Sequence, residues 1–168
     1  VLTYGKGQSR PVRGCSKDTV IGNTARNVIA GYDGHDILVG YGGNEDIVGR
    51  NGNDTIIGGT GQDALAGSAG YDVFRFDSVS HSTRSSPDNI TDFQRGCDKM
   101  DLSRMDADTD TAGNQTFKFI GSKVFTGIDS QLRSENGYVY GDLNVDRTAD
   151  FTIRFIGAEV LVGSCIIL

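Results

Sequence analysis

Residues 31–75 read GYDGHDILV (31–39), GYGGNEDIV (40–48), GRNGNDTII (49–57), GGTGQDALA (58–66) and GSAGYDVFR (67–75), five copies of one nine-residue row laid end to end. Glycine opens each row. An acidic residue stands sixth (Asp36, Glu45, Asp54, Asp63, Asp72) and a large apolar residue eighth (Leu38, Ile47, Ile56, Leu65, Phe74). Two worn rows upstream, RGCSKDTVI (13–21) and GNTARNVIA (22–30), keep the phase, with Asp18 and Asn27 sixth and Val20 and Ile29 eighth. Self-similarity at a fixed period marks a stacked repeat. Each row reads as a tight six-residue turn and a three-residue strand, and glycine at turn positions one, two and four permits positive φ and close backbone approach. One inward side chain per strand suits a flattened coil with two rows to a turn. Odd rows then stack into one parallel sheet and even rows into the facing sheet, neighbouring strands about 4.8 Å apart.

The totals agree with a repeat. Of 24 glycines, 14 lie between positions 14 and 70, and the strict period separates them from a flexible linker. With 168 residues, 37% apolar and no Trp, a large conventional core is not expected. A net charge of −6 argues against nucleic acid as a partner. No apolar run approaches the roughly 18 residues that span a bilayer, so no transmembrane segment is expected. The opening VLTYGKGQSR has neither a signal-peptide apolar region nor an initiator Met, which reads as a piece of a longer chain. Cys15, Cys97 and Cys165 are an odd number, read as unpaired thiols with at most one bridge.

After Phe76 the period dissolves. FKFI (117–120), YVYGDL (138–143), DFTIRFIG (150–157) and VLVG (160–163) are strand-like runs between turn clusters. The expected organisation is a lead-in segment (1–12), a repeat coil (13–80) and a C-terminal antiparallel β cap (81–168). The fold class is all-β, a parallel β-roll with that cap.

Stacking every second row aligns the sixth positions. One edge carries Asp18, Asp36, Asp54 and Asp72, and the other Asn27, Glu45 and Asp63. Carboxylates about 5 Å apart repel by on the order of 3 kcal/mol per pair at an effective dielectric of 20, and a divalent cation between turns reverses the sign. Carboxylates with the carbonyls of glycine-rich turns make a pliable all-oxygen cage, which suits Ca²⁺ better than the smaller, octahedral Mg²⁺. Zinc is disfavoured because the two histidines, His35 and His81, are isolated and read as turn surface. Seven inward side chains form too thin a core to offset the ordering of seven rows, so the coil is expected to fold as it binds several Ca²⁺ ions, about three to five.

These rows resemble the RTX nonapeptide G-G-x-G-x-D-x-U-x. The downstream half resembles the C-terminal domain of serralysin-type secreted metalloproteases through DNITDF (88–93), DKMDLS (98–103), the FIG, FTG and QLR of 119–133, GDLNVDRTADFTIRFIG (141–157) and the terminal CIIL (165–168). The resemblance implies a parallel β-roll with Ca²⁺ between its turns, and an uncleaved C-terminal signal read by a type I secretion machinery. It also implies that carbonyls of turn positions one to four and the carboxylate of position six hold the ion. Gly31, Asp33, Gly34 and Asp36 would share one with Gly49, Asn51, Gly52 and Asp54, and that turn another with Gly67, Ala69, Gly70 and Asp72. On the other edge Gly40, Gly42, Gly43 and Glu45 would pair with Gly58, Thr60, Gly61 and Asp63. Asp18 and Asp88 would serve at the two ends. This chain departs from the pattern at Arg13 and Ala25 (each in a glycine position), at Asn27 and His81 (each where a carboxylate is usual) and at Cys165, where an acidic residue usually precedes the apolar terminus.

Other constellations read as structural. No HExxH occurs, so no protease motif lies in this chain, and no catalytic residue is assigned. Asp142, Asn144, Asp146 and Asp150 mimic the start of an EF-hand loop, but Arg147 replaces the turn glycine and Ile153 the bidentate Glu, so the segment reads as a solvated turn. Arg84, Arg95, Arg104, Arg133, Arg147 and Arg154 crowd the second half and read as solubilising charge. The expectation is a non-catalytic, calcium-binding C-terminal region of a secreted, extracellular protein, most simply a serralysin-like protease. The alternatives are a binding module for an anionic, alginate-like polysaccharide and a structural adhesin repeat.

Overall fold

The computed structural model describes residues 2–3, 15–108, 112–157 and 161–168. Arg13, Val160 and the lead-in apart from Leu2–Thr3 lie outside the described residues. In chain order the strands are β1 (Leu2–Thr3), β2 (Thr19–Ile21), β3 (Val28–Asp33), β4 (Ile37–Val39), β5 (Asp46–Asn51), β6 (Thr55–Ile57), β7 (Ala64–Ala69), β8 (Val73–Arg75), β9 (Asp88–Ile90), β10 (Lys99–Asp101), β11 (Lys118–Phe119), β12 (Gln131–Glu135), β13 (Tyr138–Asp142), β14 (Phe151–Phe155) and β15 (Ile166–Ile167).

They form two sheets, ordered β1-β2-β4-β6-β8-β10-β15 and β11-β12-β13-β14-β9-β7-β5-β3. Odd rows supply the first and even rows the second, as the alternation of rows predicts. Register places Val20 beside Leu38, Leu38 beside Ile56 and Ile56 beside Phe74, with Ile29, Ile47 and Leu65 aligned opposite. All seven side chains are buried and belong to one apolar cluster that runs on into the cap. The chain is all-β, a parallel roll with an antiparallel part.

Two features differ from the row-by-row reading. Strands β3, β5 and β7 are six residues long and run through the first three turn positions of the next row. The residue at position two takes a left-handed φ (Tyr32 77°, Arg50 84°, Ser68 73°), and Tyr32 still pairs with Arg50 and Arg50 with Ser68. The chain bends there without leaving the ladder. Position-one glycines are needed for a different reason from positive φ: a Cβ on Gly49 would meet the Gly67 carbonyl at 2.7 Å. Position-four glycines meet both conditions, Gly52 having φ 131° and facing the Gly34 carbonyl.

Parallel stacking also continues beyond residue 80. Strand β9 pairs with β7 (Leu65 beside Ile90) and β10 with β8 (Phe74 beside Met100). Within 81–168, antiparallel pairing is confined to β12–β13–β14 among the named strands, while β14 joins β9 and β15 joins β10 in parallel. Phe93 packs edge-on against Phe155 at 5.1 Å and Phe117 against Phe151 at 5.5 Å, which seals the end of the roll. Cys15, Cys97 and Cys165 are free thiols.

Candidate metal centre

The turn residues named from the sequence lie in register along the two edges. Gly34 N–H donates to the Asn51 carbonyl and Gly52 N–H to the Ala69 carbonyl, each at 2.9 Å, joining the turns 31–36, 49–54 and 67–72. Asn51 Nδ2 also donates to Asp33 Oδ1 at 2.7 Å. On the opposite edge Gly43 N–H donates to the Thr60 carbonyl at 2.9 Å, joining 40–45 to 58–63.

Sixth-position carboxylates are tied by one oxygen. Backbone N–H groups of Asp18, Asp36 and Asp54 each donate at 2.8 Å to Oδ1 of the aspartate one coil turn on: Asp36, Asp54 and Asp72. Glu45 N–H donates to Asp63 Oδ1 and Asp63 N–H to Asp88 Oδ1, also at 2.8 Å. The second oxygens are left over. Oδ2 of Asp36, Asp54, Asp63, Asp72 and Asp88, and both Oε atoms of Glu45, are buried with no hydrogen-bond partner. Their position is marked by the glycines: a Cβ on Gly31 would meet Asp36 Oδ2 at 2.6 Å and the Gly49 carbonyl at 2.8 Å. A free carboxylate oxygen and a carbonyl from the next turn thus converge on one glycine face.

Burial raises the pKa of these acids, and neighbouring carboxylates add to it. Desolvation followed by the charges of Asp63 and Glu45 pushes Asp88 to about 9. Burial, then the neighbouring Asp63 carboxylate, takes Glu45 to about 8. Asp72 rises to about 6, chiefly by burial, with Asp98, Asp54 and Asp92 contributing. Buried orphan acceptors are costly unless a proton or cation meets them. An all-oxygen donor set of paired carboxylates and turn carbonyls, without thiolate or imidazole, fits a hard cation of the Ca²⁺ class. Among the described residues no three His, Cys, Asp or Glu side chains form a group that could hold a metal, so an ion in these turns would draw on main-chain oxygen beside the carboxylates.

The ends differ. Asp18 is half-buried, and its Oδ2 accepts from Ser16 Oγ at 3.2 Å. Asn27 is buried, accepts from Asn23 N–H at 2.8 Å through Oδ1, and leaves Nδ2 without a partner. Asp88 occupies the sixth-position place after Asp63, and His81 stands aside, half-buried, with Nδ1 accepting from Asp77 N–H at 3.4 Å. Asp98 closes the other edge: it is 1% exposed and accepts from Asp72 N–H at 3.0 Å and Gln94 N–H at 2.8 Å. Sequence reasoning missed it. The signal was present in FQRGCDKMD (93–101), which has Gly96 fourth, Asp98 sixth and Met100 eighth. His35 is exposed and accepts from Asn53 N–H at 2.7 Å.

Among the arginines of the second half, Arg84, Arg95, Arg104, Arg147 and Arg154 are exposed and Arg133 is half-buried. Arg133 lies over the Tyr140 ring at 5.1 Å and pairs with Glu135, and Arg154 lies over Tyr138 at 5.8 Å.

Fold and site together define a repeat-built parallel β-roll whose turns are lined with buried, half-satisfied carboxylates. The chain belongs to the family described as Peptidase M10 serralysin C terminal, whose model matches residues 16–168. It is 37% identical over 86 residues to "Serralysin G" of Dickeya chrysanthemi, covering 51% of this chain and 18% of that protein. Against "Metalloprotease AprA" of Pseudomonas entomophila (strain L48) it is 37% identical over 88 residues, covering 50% of this chain and 18% of that protein. The chain spans less than a fifth of the length of these curated relatives. Among solved structures, the AlgE6R3 subunit of the Azotobacter vinelandii mannuronan C5-epimerase aligns with 94% of this chain and 81% of its own, at 24% identity and a TM-score of 0.43. No helix among the described residues is long and apolar enough to cross a membrane.

Proposed function

We propose that this chain is the non-catalytic, calcium-binding C-terminal region of a secreted protein, a serralysin-like protease, and that it folds on Ca²⁺ outside the cell and supports type I export. The observation that carries the reading is the pair of columns of buried carboxylate oxygens without partners, on Asp36, Asp54 and Asp72 along one edge and Glu45, Asp63 and Asp88 along the other. Ca²⁺ bound there would supply the positive charge that both columns lack.

Asp36 with Asp54, and Asp54 with Asp72, would hold ions together with the carbonyls of Gly31–Gly34, Gly49–Gly52 and Gly67–Gly70. Glu45 with Asp63, and Asp63 with Asp88, would do the same on the other edge. In a low-calcium cytoplasm these acids repel or stay protonated and the rows remain unfolded. Outside, they order in register, and the cap completes the core at Phe93, Phe117 and Phe155. Calorimetric titration of the chain should return several Ca²⁺ ions with negligible Mg²⁺ competition. Export of the parent should stop when 81–168 is deleted; continued export would defeat the signal role.

A second reading, an anionic-polysaccharide face, draws on Arg133 and Arg154 stacked over Tyr140 and Tyr138 on the outer side of the cap. Oligouronides that shift the NMR signals of those four residues in Ca²⁺ would favour it, and unchanged spectra would dismiss it.

A further inference from the structure

Strand β7 ends where the parallel ladder runs out. In the two turns before it, the residue at the left-handed bend is held by the next strand, Tyr32 beside Arg50 and Arg50 beside Ser68. Ser68, at φ 73°, is not held in this way, because β9 accompanies β7 only through Ala64 and Leu65. Side chains take the place of the strand. Gly67 N–H donates to Asp92 Oδ1 at 3.0 Å and Ser68 N–H to Asp92 Oδ2 at 2.9 Å, while Gln94 Nε2 donates to the Ser68 carbonyl at 2.7 Å. The bent backbone is thus met by Asp92 and Gln94 much as a further strand would meet it.

Successive N–H groups at a bend form a concavity suited to an anion, and a carboxylate accepts them more strongly than a neutral oxygen does. The dependence runs both ways. An L residue resists left-handed φ, so the bend at Ser68 needs Asp92. The two N–H groups converge only once the chain has bent, so Asp92 needs the bend.

The same segment grips the far end of the turn. Gln94 N–H donates to Asp98 Oδ2 at 2.8 Å, and Asp98 Oδ1 accepts from Asp72 N–H at 3.0 Å. Between these polar contacts Phe93 is buried in the common core, its ring centroid 6.0 Å from that of Phe74 in β8 and 5.1 Å from that of Phe155 in β14. Residues 92–98 therefore bracket the turn 67–72 on its polar side and tie β14 to the roll on its apolar side.

We propose that residues 92–98 are a latch between the roll and the antiparallel strands β12–β14. Those strands dock when the turn 67–72 has taken its bent form, and the turn keeps that form while they are docked. The last odd turn and the cap then order as one unit. The latch stands on this geometry, and joined to the calcium-driven folding proposed above it carries the state of the roll into the cap.

Urea unfolding of the whole chain in saturating calcium tests this, with amide NMR signals of Ile47 and Ile56 reporting the roll and those of Leu132 and Val139 the cap. The wild type should lose both sets together. The double variant Asp92→Ala with Gln94→Ala should lose the cap signals at lower urea than the roll signals. Its Gly67 and Ser68 amides should exchange with solvent at least about tenfold faster, with the Arg50 amide unchanged. Asp92→Asn, which keeps one acceptor oxygen, should show the same separation in milder form and decides the matter if the double variant does not fold. Thr91→Val is the control: Thr91 Oγ1 donates to the Leu65 carbonyl at 3.2 Å without touching the bend, so its loss should lower both transitions together. Separate loss of the two sets in the wild type, coincident loss in the Asp92 variants, or unchanged exchange at Gly67 and Ser68 would overturn the latch. The same unfolding curve in chelator would defeat the calcium reading instead, and the comparison of variants would still decide the latch.

Discussion

Asp36 N–H donates to Asp54 Oδ1, one full coil turn away, at 2.8 Å, while Asp54 Oδ2 stays buried without a partner. One side chain thus does two tasks: it locks the register of neighbouring rows and presents a free oxygen to the space between them. Repetition at Asp72, Asp63 and Asp88 turns this local contact into a column.

Asp54 adjoins two inter-turn spaces, so Asp54→Asn should disturb both. Its amide can still accept the Asp36 N–H bond, which isolates loss of charge from loss of register. The calcium concentration at the folding midpoint should rise at least about tenfold, equivalent to ~1.4 kcal/mol. Circular dichroism at graded calcium reads this directly, and an unmoved midpoint would contradict it.

Asn27 is the amide in the column Asn27, Glu45, Asp63, and its Nδ2 is a buried donor without a partner. Asn27→Asp restores a carboxylate opposite Glu45 and removes the orphan donor. The variant should bind one more Ca²⁺ than the parent by calorimetry. Identical stoichiometry would show that the first turn is unfit for other reasons.

The acids predict opposite pH trends with and without metal. Folded-state values of about 9 for Asp88, about 8 for Glu45 and about 6 for Asp72 lie above ordinary carboxylate values. Without metal the folded form binds more protons than the unfolded one. Its stability is therefore highest below about pH 4 and falls as pH rises towards 9. Calcium must displace those protons, so its affinity should rise over the same interval. Calcium titrations followed by circular dichroism at pH 5, 7 and 9 should show the folding midpoint moving to lower calcium as pH rises, and a midpoint that stays in place or moves the other way would contradict this.

Position two of the rows carries backbone strain. Ser68 sits at φ 73°, and its N–H bond to Asp92 Oδ2 at 2.9 Å would survive loss of the side chain. Ser68→Gly should stabilise the calcium-bound fold by about 1 kcal/mol in denaturant unfolding. Tyr32→Gly should gain less, because Arg50 lies over the Tyr32 ring at 4.2 Å.

The roll was legible because each row contains its own turn glycine, acid and core residue, so period alone placed Val20 through Phe74 in the two sheets. Period alone does not reach the last two rungs, because insertions break the phase: Asp88, named only through the resemblance, follows Asp63 by 25 residues, and Asp98, which was missed, follows Asp72 by 26, where the regular coil step is 18. Row identity survives in Asp98 and Met100, but a fixed period cannot find it. The long strands β3, β5 and β7 were hidden because Tyr32, Arg50 and Ser68 adopt a conformation that L side chains rarely take. In the cap, the β12–β13 hairpin had a local signal in Asn136–Gly137, both at positive φ. Parallel pairings such as β10 with β15 join segments far apart in the chain, and local pattern does not encode such partners.

The most direct test follows strand content of the whole chain by circular dichroism as calcium is added from excess chelator, with magnesium as control. Cooperative gain of strand signal with Ca²⁺, absent with Mg²⁺, is the expected result. A full strand spectrum in chelator, unaltered by calcium, would contradict the claim that the acid columns fold on a cation.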